Sequence, residues 1–173
     1  MGYRIDRTKS VQKERLIFKP NLHYIFDIII EILLYTIWPV MTCLIIINPI
    51  NKVGLTGIII MTTLNILLAF SWLNIYKLHK IKIINPEIDR KKFVEILRKN
   101  FPDMQINDDG LHMLRSKKNT GLLSWGKTLT VIFTEKYIYI NLTTLGRYDV
   151  KSPIHSFTNY LKVKNIGKKL NGS

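Results

Sequence analysis

Residues 53–76, VGLTGIIIMTTLNILLAFSWLNIY, run for twenty-four positions without a charged side chain. A helix rises about 1.5 Å per residue, so roughly twenty residues cross a hydrocarbon core. This stretch is long enough to span with some tilt. Its far end carries Phe70, Trp72 and Tyr76, followed by Lys77 and Lys80. Aromatic rings backed by snorkelling lysines mark a membrane–water boundary.

Just upstream, Asn48-Pro49-Ile50-Asn51-Lys52 has the composition of a turn. Before it lies a second apolar stretch, residues 22–47. Ile32–Ile47 is uncharged for sixteen residues, and Leu22–Glu31 adds length but includes Asp27 and Glu31. The expectation is an antiparallel hairpin of two spans, 22–47 and 53–76. A secretory leader is the rival for the first segment, but no small-residue cleavage site follows it and a second span comes directly after. A one-span arrangement, with residues 20–38 lying in the interface as an amphipathic helix, is the other alternative.

Charge sets the orientation. The net charge is +14, with +4 in residues 1–21 and +11 in residues 77–173. The turn between the spans holds one lysine. Both basic flanks are therefore expected on the cytoplasmic side, which places both termini there. The single cysteine, Cys43, allows no internal disulfide.

Downstream, residues 77–84 read as a linker and residues 85–164 as a compact domain. Asn85-Pro86-Glu87 starts a helix with a capping side chain, a first-turn proline and an acid near the positive dipole end. Val94, Leu97 and Phe101 follow at helical spacing, and Pro102 stops it. A strand is expected at Met104–Asn107, a hairpin turn at Asp108-Asp109-Gly110, and a return strand at Leu111–Arg115. Lys127–Thr134 and Tyr137–Thr144 alternate clearly, with Leu129, Val131, Phe133, Ile138, Ile140 and Leu142 on inward faces. Ser152-Pro153 opens a last helix to about Val163, and residues 165–173 read as a flexible basic tail. The fold class is thus a membrane α-helical hairpin plus a small cytoplasmic α+β domain, ordered helix, four antiparallel strands, helix. Residues 1–21 form a basic cytoplasmic segment before it.

Chemistry-bearing motifs are sparse. No phosphate loop, dinucleotide fingerprint or metal-ligand spacing is present, so no cofactor or metal is expected. Asp27 and Glu31, four apart, share one helix face. They either face a water-filled lumen or an oligomer contact, or pair at headgroup level with Lys19 or Arg15. Asn65 falls near mid-bilayer and either bonds across helices or lines a cavity. Thr42 joins these as a pore-lining or oligomer-contact candidate. Lys117, Lys118, Lys162, Lys164, Lys168 and Lys169 form a basic set beyond the membrane flanks, suited to RNA or an acidic partner. Trp125, Tyr137, Tyr139 and Tyr160 could stack bases, or simply pack across strands. Arg147 and His155 are weak catalytic candidates of the HEPN ribonuclease type. Seven residues separate them, more than that motif ordinarily has, so an enzyme is not expected.

Taken together, the basic N-terminus, the hydrophobic block at Leu22–Tyr76 and the basic domain with its loose Arg147…His155 pair resemble the small membrane accessory proteins encoded beside RNA-targeting type VI-B CRISPR nucleases. The resemblance covers the full chain and lies in its architecture. It implies a bacterial inner-membrane protein that assembles as a ring, an octamer for instance, around a pore. It also implies a functional link to a CRISPR RNA nuclease and depolarisation of the membrane in antiviral defence. The function expected is therefore an oligomeric pore or membrane-depolarising effector. A membrane-tethered RNA-binding or HEPN-like module and a membrane adaptor recruiting a soluble partner are the alternatives.

Overall fold

The computed structural model describes residues 4–47, 54–119, 121, 125–146 and 150–171. The turn expected at residues 48–52 and the candidate Arg147 lie outside them. The order is α1 (Arg7–Gln12), α2 (Leu22–Ile47), α3 (Leu55–Asn74), β1 (His79–Lys82), α4 (Pro86–Asn100), β2 (Met113–Lys118), β3 (Gly126–Phe133), β4 (Tyr137–Leu145) and α5 (Ser156–Asn171). The chain is α+β, with two long apolar helices ahead of a four-stranded antiparallel sheet.

The sheet order is β1-β4-β3-β2. β3 and β4 form its centre because their alternation puts Leu129, Val131 and Phe133 beside Ile138, Ile140 and Leu142 on one face. α4 and α5 cover that face. Asn85 Oδ1 caps α4 by accepting from Ile88 N, and Phe93, Val94 and Leu97 face the core. Phe93 meets Phe133 edge-on, with centroids 6.4 Å apart.

Three expectations need correction. Residues 77–84 are not a linker, because His79–Lys82 forms edge strand β1, pairing with Ile140 to Tyr137. Its lysines point out while Ile81 enters the core, so the alternation was hidden by basic residues that also suit a membrane flank. Met104–Asn107 is not a strand. Met104 and Ile106 are buried, but the backbone is held through side chains: Ser116 Oγ donates to Gln105 O at 2.7 Å and Arg98 Nε to Ile106 O at 3.1 Å. Asp108-Asp109-Gly110 therefore closes no hairpin, and the strand expected at Leu111–Arg115 is instead Met113–Lys118, which pairs with β3; what remains is a local bend. Gly110 has φ +74°, its N–H bonds the Asp108 carboxylate, and Arg90 ion-pairs with Asp108 while donating to Leu111 O. That guanidinium holds the Asp108 carboxyl below the usual carboxylate range.

The third correction is the tail. Residues 165–171 are helical, and Val163, Ile166 and Leu170 are buried at three- and four-residue spacing. Gly167 lets α5 approach β1 closely; a Cβ there would sit 3.3 Å from Ile81 Cγ1. The lysines between these residues made the segment look loose.

The other face of the sheet is covered in part by residues 4–19. Ile5 bridges Phe18, Arg15 bridges Lys77, and Ile5, Leu16 and Phe18 pack with Leu78, Ile132 and Tyr139. The basic N-terminal segment is therefore folded onto the domain.

α2 is one continuous helix through Pro39, and α3 lies antiparallel to it. Glu31 meets Tyr76 and Tyr35 meets Trp72, so four steps along α2 match four steps back along α3. By length and composition both helices are sufficient to cross a membrane. Their apolar side chains are uncovered: Leu44 is 57% exposed, Leu67 55% and Phe70 65%.

Ile166→Ala should destabilise the domain by about 2–4 kcal/mol, the range for emptying a core position, measured as the unfolding midpoint of the detergent-extracted protein. His79 supplies a pH prediction. Its ring packs 4.8 Å from that of Tyr160, and burial, with Lys77 alongside, lowers its pKa. A depressed folded-state pKa means the unfolded chain takes the proton first as pH falls. Its contribution is full above the ordinary value of about 6.5 and is lost as pH drops through the folded value. Stability should therefore fall as pH drops below about 6.5, and His79→Gln should flatten that slope in thermal melts.

Candidate functional site

The root of the hairpin, where α2 and α3 meet the sheet, gathers both carboxylates that the apolar helices carry, Asp27 and Glu31. β4 supplies the base. Asn141 Nδ2 donates to Ile75 O at 2.8 Å and to Lys77 O at 2.9 Å, just past the end of α3. Thr143 Oγ1 donates to Asn141 Oδ1 at 2.8 Å, fixing the amide. Helix-terminal carbonyls need such partners when buried, so these side chains bind α3 to the sheet without an intervening flexible segment.

Past the end of β4 the chain turns back. Gly146 N bonds Val150 O at 2.7 Å and Ser152 N bonds Thr144 O at 2.8 Å, which delivers Lys151 beneath α2. Lys151 Nζ donates to Glu31 Oε1 at 2.7 Å and to the Tyr76 hydroxyl at 2.7 Å. Tyr76 donates its proton to Glu31 Oε2 at 2.9 Å. Tyr35, one turn further along α2, donates its hydroxyl to the Lys151 carbonyl. Glu31 is buried and so is most of Lys151. A buried carboxylate is tolerable only when paired and hydrogen-bonded, and here both oxygens are engaged.

Beside this lock lies a cavity of about 600 Å³ between α2 and the polar half of the sheet face. Asp27 and Glu31 line one wall, and Arg115, Lys117 and Thr130 line the other. Burial lowers the proton affinity of Arg115, although a guanidinium stays charged throughout the working range of pH.

Each sequence candidate can now be placed. Asp27 and Glu31 share the α2 face that looks onto the sheet; Glu31 pairs with Lys151, not with Lys19 or Arg15. Thr42 is buried and donates to Trp38 O in its own helix at 2.9 Å. Asn65 Nδ2 donates to Met61 O at 3.0 Å, while Asn65 Oδ1 and Trp72 Nε1 are buried without a hydrogen-bond partner among the described residues. These two residues are seven apart, on the α3 face that meets α2.

The six lysines are not one patch. Lys117 lines the cavity, Lys118 on the opposite sheet face bonds Asp103 at 2.8 Å, and Lys162, Lys164, Lys168 and Lys169 are spread around α5. His155 sits just before α5, with Ser152 Oγ 2.8 Å from Nδ1 and the Trp125 ring 4.7 Å away. Tyr137 carries the Lys80 ammonium 4.2 Å from its centroid, and Tyr139 is buried under the N-terminal segment.

Lys151, Tyr76, Tyr35 and Asn141 were not singled out from the sequence as site residues. Glu31 and Lys151 stand 120 positions apart, so no spacing rule links them. The available signal was the cost of Glu31 itself, which demanded a cation somewhere. No protein-family model, curated protein or solved structure matches the chain.

Lys151→Met removes the cation and leaves Glu31 buried and unpaired, which should cost about 3–5 kcal/mol. Adding Glu31→Leu should restore much of that loss. Denaturant unfolding of both variants in detergent measures the coupling, and additive losses would mean the pair is not a unit.

Proposed function

We propose that the chain is a membrane-anchored protein. α2 and α3 cross a bacterial inner membrane as an antiparallel hairpin, and the basic α+β domain is clamped to the cytoplasmic surface with both termini on that side. One observation carries this reading. The apolar helices leave their large side chains uncovered, whereas Glu31, Tyr76, Lys151 and Asn141 gather at one end of the hairpin. A core helix of a soluble protein shows the reverse, with apolar side chains covered. The uncharged length Leu55–Asn74 matches a bilayer core that begins just beyond the lock, and Ile32–Ile47 supplies most of the second crossing. The basic flanks support the orientation.

On this anchor the domain is a rigid platform for a cytoplasmic partner. Because β1, Asn141 and Lys151 bind it directly to the helix ends, its position relative to the bilayer is fixed by hydrogen bonds.

A ring-forming pore, the activity implied by the resemblance to type VI-B accessory proteins, is the second reading. What favours it is Thr56 and Thr63, seven apart and so on one exposed face of α3. Small and hydroxyl-bearing residues on a lipid-facing surface promote helix association. In such a ring this face would be the contact between subunits. Glu31, by contrast, is already paired with Lys151 within one chain.

Topology is tested with single cysteines in a Cys43→Ala background and a membrane-impermeant maleimide. Asn51→Cys should react in cells with a permeabilised outer membrane, and Lys136→Cys only in inverted vesicles. Labelling of both from one side would overturn the hairpin. The mass of the detergent-extracted protein, by light scattering corrected for bound detergent, separates the two readings. The anchored platform predicts a monomer or dimer. A single large closed assembly would favour the pore, and Thr56→Leu with Thr63→Leu should then shrink it.

A further inference from the structure

The end of the sheet that meets the hairpin exposes several large apolar side chains. Gly126 pairs with Leu145 there. Trp125, immediately before β3, is 53% exposed; Ile154 is 72%, Phe157 63% and Leu161 42% exposed. On α5, Phe157 and Leu161 are four apart and share one face, and Ile154 stands in the turn that leads into it. Asn159, Val163, Ile166 and Leu170 occupy the opposite, buried face. Further along the outer face the residues change to Lys164 and Lys168. The surface of α5 is therefore graded, apolar near the hairpin and cationic away from it.

Depth is fixed by two contacts. The Tyr35 hydroxyl donates to Lys151 O, and Tyr35 lies inside the uncharged stretch Ile32–Ile47. The loop that carries Lys151 to Ile154 thus reaches the level of the apolar part of α2. The start of α5 shares a small cleft with the end of α3, lined by Asn74, Ile75, Ser156, Asn159 and Tyr160. The apolar surface of the hairpin and that of the domain are therefore neighbours at one level.

We propose that this end of the domain is a second membrane contact: Trp125, Ile154, Phe157 and Leu161 enter the cytoplasmic leaflet beside α3, and Lys127, Lys162 and Lys164 meet anionic headgroups. The proposal rests on the membrane hairpin described above and commits to lipid as the occupant. An interfacial helix segment gains from both apolar burial and attraction to anionic lipid. The lysines suit that partner. Lys127 stands in cross-strand register with Lys118, and burial together with the Lys162 and Lys118 charges lowers its proton affinity. A negative surface relieves that repulsion. Lys118 is partly compensated by Asp103 at 2.8 Å. The far end of the domain also exposes apolar side chains, Ile84 at 95%, Ile88 at 62% and Leu111 at 64%, but it lies away from the hairpin and so serves as the aqueous reference.

The test uses the full chain in lipid nanodiscs containing phosphatidylglycerol, in a Cys43→Ala background. A nitroxide is placed singly through Phe157→Cys, Ile84→Cys or Leu67→Cys. Collision with oxygen, which partitions into lipid, is compared with collision with an aqueous nickel chelate. The Phe157 and Leu67 labels should favour oxygen severalfold over the Ile84 label. A Phe157 label as open to nickel as Ile84, while Leu67 still favours oxygen, would overturn this inference and leave the hairpin standing. Nickel access at Leu67 would remove the hairpin reading and the inference with it. A Phe157 label shielded from both reagents would mean that protein covers the face and would also overturn it. With Lys127→Gln, Lys162→Gln and Lys164→Gln combined, the Phe157 label should move severalfold toward nickel. An unchanged ratio would exclude the headgroup contribution.

Discussion

A carboxylate placed where apolar helices begin has few acceptable surroundings, and Glu31 shows which one this chain uses. Both oxygens are held, one by the Lys151 ammonium and one by the Tyr76 hydroxyl. Removing an ion from water costs several kcal/mol, so the pair is stable only with good geometry and extra hydrogen bonds. That requirement reaches outward. Lys151 must be delivered by the return loop after β4, which depends on the Gly146–Val150 and Ser152–Thr144 backbone bonds. Tyr76 must sit just past the end of α3, which depends on Asn141 holding Ile75 O and Lys77 O. The position of the sheet under the helices follows from one acid's need for partners.

The N-terminal segment strengthens the same junction from the other side. Leu16 N bonds Tyr76 O at 2.8 Å and Leu78 N bonds Glu14 O at 2.9 Å, so the chain before α2 pairs with the chain after α3. Arg15 places its guanidinium 5.7 Å from the Tyr76 ring centroid. Tyr76 is thus contacted by α2, by the N-terminal segment and by Lys151. A hairpin held at both of its domain-side ends cannot swing independently of the domain.

The parts of this architecture that sequence revealed are those governed by local periodicity. The uncharged run to Tyr76, the alternation of β3 and β4, and the Asn85-Pro86 start of α4 each follow from rules spanning a few residues. The parts that it hid are those where one residue type serves two roles. Lysines alternating with Leu78, Ile81 and Ile83 suited both a membrane flank and an edge strand. Lysines around Ile166 and Leu170 suited both a loose tail and a helix with one buried stripe. Met104 and Ile106 show the converse, a strand-like pattern whose backbone is satisfied by Ser116 and Arg98 side chains. At the candidate site, Glu31 was legible as a problem and Lys151 was not legible as its solution, because the fold alone brings positions 120 apart into contact.

The lock also constrains what any signal through this protein must do. Glu31 and Tyr76 belong to different helices and Lys151 to the domain, so a rearrangement of the hairpin that separates α2 from α3 must break the ion pair or carry Lys151 with it. Breaking it leaves a buried charge, a penalty large enough to make such a state rare. Carrying it moves the loop that ends in Ile154, and with it the start of α5. Motion of the helices and motion of the face bearing Phe157 and Leu161 are therefore one coordinate. Two states of such a unit can differ only if the lock has an alternative partner set in the second state. Asp27, one turn away on the same α2 face, lines the same cavity.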